Sequence, residues 1–243
     1  MFVFILKING KYGLILEKGS YMQNTQSTIT YEEIKFDSEL EQRRYYFIFK
    51  RLIDITFSLL GIIFLSPILL LTAIAIKMNS KGPVIFTQER IGYRGKKFNM
   101  YKFRSMVCNA EDLKESLMKK NEMSGPMFKI KKDPRITTVG KFIRKTSIDE
   151  LPQLFNVIKG EMSLVGPRPN LPKEVRAFTE YQKQKLLAKP GLTCYWQVSG
   201  RSNIDFEQWM ELDIKYIYER GILLDIKLIL KTVLVLFGDN NAA

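Results

Sequence analysis

Two adjacent carboxylates, Asp149 and Glu150, stand in the stretch Thr146-Ser147-Ile148-Asp149-Glu150-Leu151-Pro152. Ser147 with Glu150 three positions later matches a capping box, which predicts a helix start with both acids in its first turn. Free amides and the helix dipole favour anions there, so Asp149 is expected to stay ionised at neutral pH. An ionised carboxylate can attack as a nucleophile or hold a hard cation. The same pattern opens many ordinary helices, so spacing alone does not assign catalysis. Pro152, within that turn or just beyond it, predicts an irregular start.

Cations bracket the pair. Arg144 and Lys145 precede it, and Arg168 follows within Gly166-Pro167-Arg168-Pro169. Two prolines stiffen the backbone around that arginine, which reduces the entropy lost on fixing its guanidinium. Such a group suits bidentate contact with a phosphate, although a solvated arginine in a surface turn has the same sequence. Arg90, Arg94, Lys102 and Arg104 add charge on a loop-and-strand unit, where Gly92 and Gly95 permit close backbone approach. No Walker A or GxGxxG motif accompanies them.

Composition narrows the chemistry. Histidine is absent from the 243 residues, which excludes Ser-His-Asp and Cys-His nucleophile systems, HExxH zinc sites and any imidazole base. Cys108 and Cys194 form no CxxC and are expected to be two unpaired thiols in a reducing compartment. Between Lys81 and Lys145 there are 17 basic and 6 acidic residues, a net of +11 out of the chain's +13. Such a block suits nucleic acid, anionic lipid or a phosphorylated small molecule, or is simply a solvated face.

The elements that must position these groups include a membrane segment. Ile55 to Ile76 runs 22 residues without a charge, long enough to cross a hydrocarbon core as a helix. It lies too deep in the chain for a signal peptide. Arg43, Arg44, Lys50 and Arg51 precede it, and Lys77 and Lys81 follow, so flanking charge gives no direction of insertion. Ser66-Pro67 near its middle should kink or break the helix. A re-entrant hairpin in the cytoplasmic leaflet and a kinked spanning helix both fit. Tyr45, Tyr46, Phe47 and Phe49 suit the headgroup level. A second apolar stretch, Ile222 to Phe237, carries Asp225, Lys227 and Lys231, which favours an interfacial or core helix over a span.

The remainder predicts an α+β, mixed α/β domain seated on a membrane. Residues 1–17 read as a hairpin around Asn9-Gly10, and residues 18–42 as a polar tether. The expected organisation is 1–45 hairpin and tether, 46–80 membrane helix-break-helix, and 81–243 catalytic domain ending in an amphipathic helix. A phosphate-seeking basic block, a carboxylate pair and a membrane insert, without histidine, together suggest phosphoryl transfer at a membrane surface with Mg²⁺ offsetting anionic repulsion.

From about Tyr46 to Phe237 the chain resembles the bacterial sugar transferase family of monotopic phosphoglycosyl transferases. The resemblance rests on KRLIDITFSLLGIIFLSPILLL, GPVIFTQERIGYRGKKFNMYKFRSM, DPRITTVGKFIRKTSIDELPQLFNVIKGEMSLVGPRP and KPGLTCYWQVSGRS, about four-fifths of the chain. The last segment is similar to the catalytic portion of the larger capsule- and exopolysaccharide-initiating members, whose additional N-terminal transmembrane helices and domain are not expected here. The resemblance implies transfer of a sugar-1-phosphate from a UDP-sugar to undecaprenyl phosphate, with Asp149 attacking the sugar-side phosphorus and UMP leaving. It implies Glu150 as second member of the dyad, supporting Mg²⁺ with Asp149 or handling a proton. Arg144, Arg168, Arg90, Arg104 and Lys102 would hold phosphates or nucleotide. Ser66-Pro67 would make the membrane helix re-entrant at the cytoplasmic face of the inner membrane. Self-association into homo-oligomers also belongs to the family.

Two other readings stay open. A membrane-tethered binder of nucleic acid or anionic lipid would explain the +11 block and predicts salt-sensitive binding, but no nucleic-acid motif accompanies the aromatics. A nucleotide-sugar hydrolase would use the same site with water as acceptor. The donor sugar and the glycan pathway are not legible.

Overall fold

The computed structural model describes residues 2–8, 11–17, 44–117, 130, 133–199 and 204–238. Residues 1–45 form one unit and residues 46–243 another. In the first, β1 (Phe2–Ile8) pairs antiparallel with β2 (Lys11–Glu17), Phe2 opposite Glu17 and Ile8 opposite Lys11. That register brackets the expected Asn9-Gly10 turn, which, like the tether at 18–42, lies outside the described residues.

Helix α1 (Arg44–Asn79), which carries the chain from the unit boundary into the second unit, is 36 residues long and apolar enough to cross a membrane. Its most apolar stretch is only 11% buried. Helix continues through Pro67, so the sequence's break is not an interruption of α1. The local chemistry still registers the proline. Pro67 cannot donate to the Ile63 carbonyl four residues back, and the Ser66 hydroxyl donates to that oxygen instead, at 2.8 Å. The polar residues nearer the start of α1 are tied to the domain. Arg51 donates to the carbonyls of Val157 and Ile158, and Asp54 accepts from Ser163 Oγ and the Leu164 amide.

Next comes an antiparallel hairpin, β3 (Ile85–Ile91) with β4 (Lys97–Phe103), Arg90 opposite Phe98. Gly92-Tyr93-Arg94-Gly95 is its turn: Gly92 N–H donates to Lys96 O, and Gly95 has φ +74. The GxxG spacing therefore serves chain reversal. After α2 (Asp112–Leu117), α3 (Thr138–Lys145) starts at a Thr137 cap, whose hydroxyl accepts from the Gly140 amide. Then follow α4 (Gln153–Lys159), β5 (Ser163–Val165), α5 (Pro172–Arg176), α6 (Glu180–Lys183), β6 (Gly191–Thr193), α7 (Tyr195–Val198), α8 (Phe206–Glu219) and α9 (Ile222–Gly238).

The fold is mixed helix and sheet, with more helix than strand among the described residues. β5 and β6 pair in parallel, Ser163 opposite Gly191, a contact that local sequence patterning does not announce. Gly191 permits it, because a Cβ there would sit 2.1 Å from the Gly166 nitrogen. Phe98 and Met100 of β4 pack on Val157 of α4 and Met162, fixing the hairpin against the helix that follows the carboxylate pair. Asn156 reinforces the joint: its amide accepts from Tyr101 N and donates to Asn99 O. Helix α9 buries Asp225 and Leu228 and exposes Leu223, Leu230 and Leu234, so it is amphipathic with one face in the core. Both cysteines are free.

Candidate active site

Asp149 and Glu150 do not begin a regular helix. Ser147 adopts the left-handed conformation, φ +56, and its side chain makes no cap. Its amide donates to Arg144 O, so it ends α3 in place of starting the next helix. The expected capping box is thereby overturned: Glu150 points to cations, and not to the Ser147 amide. The acids occupy a three-residue 3₁₀ turn, Ile148–Glu150, and α4 starts only at Gln153, after Pro152. A non-glycine residue at positive φ costs about 1–3 kcal/mol and is held only by its surroundings.

Glu150 Oε1 receives Lys102 Nζ at 2.7 Å and Arg168 NH1 at 3.4 Å. Burial pushes its carboxyl pKa up, but Lys102 and Arg168 outweigh burial and hold it well below the ordinary glutamate value. Asp149 is buried, 8% exposed. Burial raises its pKa from 3.8 to about 6; Lys102, Arg144 and Arg168 pull it down while Glu150 pushes it up. Asp149 therefore remains mostly ionised at pH 7, but neighbouring cations keep it so, where the sequence suggested a helix dipole. A single short turn has little dipole to offer. Lys102 continues the inward face of β4 that carries Phe98 and Met100, and burial lowers its ammonium pKa.

The remaining predicted cations divide. Arg168 meets Glu150 and lies over the Trp196 ring, 5.6 Å from the ring centre. Arg144 is exposed on the last turn of α3, and its charge reaches Asp149 without an ion pair among the described residues. Arg90 donates to Pro169 O at 3.1 Å and to Gln88 Oε1 at 2.6 Å, bracing the segment that carries Arg168; burial lowers its pKa to about 10. Arg104 goes elsewhere. Its buried guanidinium donates to the carbonyls of Ser80 and Lys81, just past α1, and to Cys108 Sγ. It closes the end of α1 and does not join the cluster at Asp149. The sequence missed Trp196, whose place beneath Arg168 is set by tertiary packing alone.

Among the described residues no three His, Cys, Asp or Glu side chains gather as a metal cage. The donor set that exists is oxygen only, two adjacent carboxylates. It fits Mg²⁺, which takes one or two carboxylates and completes its shell with water and substrate phosphates.

The bacterial sugar transferase family profile matches residues 45–239. The chain belongs to that family. Relatives of this bacterial sugar transferase include the galactosyl transferase CpsE of Streptococcus agalactiae, 48% identical over 194 residues, covering 79% of this chain and 43% of the relative. The undecaprenyl-phosphate galactose phosphotransferase of Salmonella typhimurium is 38% identical over 233 residues, 93% of this chain and 48% of the relative. The exopolysaccharide production protein ExoY of Sinorhizobium fredii is 36% identical over 188 residues, covering 76% of this chain and 83% of the relative. The chain spans less than half the length of CpsE and of the Salmonella enzyme.

Proposed function

We propose that this sugar transferase moves a hexose-1-phosphate from a UDP-sugar to undecaprenyl phosphate and so starts a capsule, exopolysaccharide or O-antigen type glycan. The observation that carries the reading is a buried aspartate, mostly ionised at pH 7, that feels the charges of Lys102, Arg144 and Arg168 and adjoins a glutamate paired with Lys102 and Arg168. Relatives named undecaprenyl-phosphate galactose and glucose phosphotransferases support the acceptor class. A relative named UDP-glucose:undecaprenyl-phosphate glucose-1-phosphate transferase supports the donor class.

In this mechanism an Asp149 carboxylate oxygen attacks the sugar-side phosphorus, a P–O bond to UMP breaks, and UMP departs. An oxygen of undecaprenyl phosphate then attacks the aspartyl phosphosugar, forming the diphosphate bond and freeing Asp149. Arg168 and Arg144 hold donor phosphates, and Arg90 steadies the Arg168 segment. Lys102 keeps Asp149 ionised while pairing Glu150. Asp149 and Glu150 would hold Mg²⁺, which when bound offsets charge on the phosphates. In a bilayer α1 would bend at Ser66-Pro67, where proline removes one backbone hydrogen bond, and so enter and leave the cytoplasmic leaflet, with the exposed leucines of α9 in the interface. On this reading the carboxylates would meet the lipid phosphate at the cytoplasmic face of the inner membrane.

The test is UMP release by detergent-solubilised protein with Mg²⁺ and a panel of UDP-sugars, with and without undecaprenyl phosphate. Turnover that requires the lipid is expected. UMP release indifferent to the lipid would assign a hydrolase, and no release from folded protein would reject the reaction.

A further inference from the structure

The most deeply buried ion pair among the described residues lies behind this site. Lys185 Nζ is 2.6 Å from Asp213 Oδ2, with side chains 2% and 0% exposed. The contact is electrostatic by distance; neither Asp213 oxygen has a well-aligned hydrogen bond. Lys185 directs its well-formed hydrogen bond to Asn170 Oδ1, at 2.6 Å. A buried ion pair is poor value for stability alone, since apolar residues of similar volume often do as well. Its geometry therefore calls for a reason.

Two routes run from Lys185 to Arg168. Along the chain, Asn170 is two residues past Arg168, and all of its polar side-chain groups are engaged: Oδ1 by Lys185, Nδ2 by Glu174. Its carbonyl accepts from Ile91 N, next to the Arg90 that grips Pro169 O. Through space, Lys185 Nζ lies 5.0 Å from the Trp209 ring centre, Trp209 packs 5.1 Å from Trp196, and Trp196 underlies Arg168. The two routes converge on one guanidinium, fixing both its backbone and the ring beneath it. The buried Asp213 carboxylate also feels the Arg168 charge.

The geometry points to Lys185 and Asp213 as positioning residues for Arg168: the buried pair sets the angle at which that guanidinium meets Glu150 and an incoming phosphate. The inference rests on the anion-binding role given to Arg168 above, and its test is separable from turnover. Trp196 and Trp209 are the chain's two tryptophans, so intrinsic emission reads this network without a label. Purified full chain, with Mg²⁺, is titrated with UMP in wild type, Lys185→Met, Arg168→Gln and the double variant, each checked for folding by thermal melting. Each single change is expected to weaken UMP about tenfold, and the double to bind within about twofold of Arg168→Gln, because residues acting through one another are non-additive. Lys185→Met binding as wild type does, or a double variant losing the product of both effects, overturns the proposal. If Lys185→Met fails to fold, Lys185→Met with Asp213→Leu removes both charges and carries the same expectation. A wild type that binds UMP but turns over no donor sinks the transfer reaction and leaves this test standing. Should UMP not bind, inorganic pyrophosphate replaces it, since Arg168 requires only an anion; binding of neither overturns the positioning role.

Discussion

Replacing Asp149 by asparagine should abolish transfer and make the protein more stable. Asn has the same shape and no charge, so the variant removes the cost of keeping an ionised carboxylate buried beside Glu150. That cost is legible in the proton affinity. The folded carboxyl titrates at about 6 against an ordinary 3.8, a gap worth on the order of 3 kcal/mol at about 1.36 kcal/mol per pKa unit. Because the folded state holds this proton more tightly than the unfolded chain, the cost is absent below about pH 4, grows as pH rises, and is complete above about pH 6. For a domain of this size each kcal/mol moves the melting temperature by roughly 2–4 °C, so Asp149→Asn should melt roughly 6–12 °C higher at pH 7.5. Thermal unfolding in one detergent at several pH values between 4 and 8 reads this directly. UMP release should fall at least about a thousandfold, as expected when a nucleophile is removed. Equal melting temperatures at pH 7.5, or a difference that does not grow between pH 4 and 6, would refute the burial argument. Near-normal turnover would refute Asp149 as nucleophile.

Lys102→Met removes the cation that pulls the Asp149 pKa down most, so the rising limb of the pH–rate profile should move to higher pH; an unmoved limb would show that Lys102 does not set the charge of Asp149. Asn156→Ala leaves the Tyr101 amide and Asn99 carbonyl without their partner, with an expected loss on the order of 3 kcal/mol in denaturant unfolding. Gly191→Ala forces a Cβ against the Gly166 nitrogen and should cost about 1–3 kcal/mol, visible as a lower melting temperature. For α1, single cysteines at Tyr45 and Ser80 should label from the same side in sealed vesicles, and Pro67→Ala should move one of them across; opposite sides in the parent protein would establish a spanning helix.

The sequence identified the acids and most of the cations around them, because charged residues near two adjacent carboxylates are visible as residue types. It misread what depends on where an element stops. Alternation along β4 puts Phe98, Met100 and Lys102 on the inward face and extends, on paper, to Arg104. The strand ends at Phe103, and Arg104 turns to the carbonyls of Ser80 and Lys81. The Arg104 amide still donates to Val84 O, so what separates it from the lysine on Glu150 is the capture of its guanidinium by the carbonyls at the end of α1. Ser147 shows the same limit: the spacing to Glu150 fits a helix start, but α3 reaches Lys145 and needs a left-handed exit, which Ser147 supplies. Trp196 and the Lys185–Asp213 pair leave no local trace, since their partners come from segments joined only by packing. The acids are therefore legible as chemistry, while their proton affinity is a property of the assembled fold. In sequence Asp149 reads as an ordinary first-turn aspartate; only burial beside Glu150, Lys102 and Arg168 brings its titration to about 6, where a carboxylate is both mostly charged at pH 7 and costly to keep.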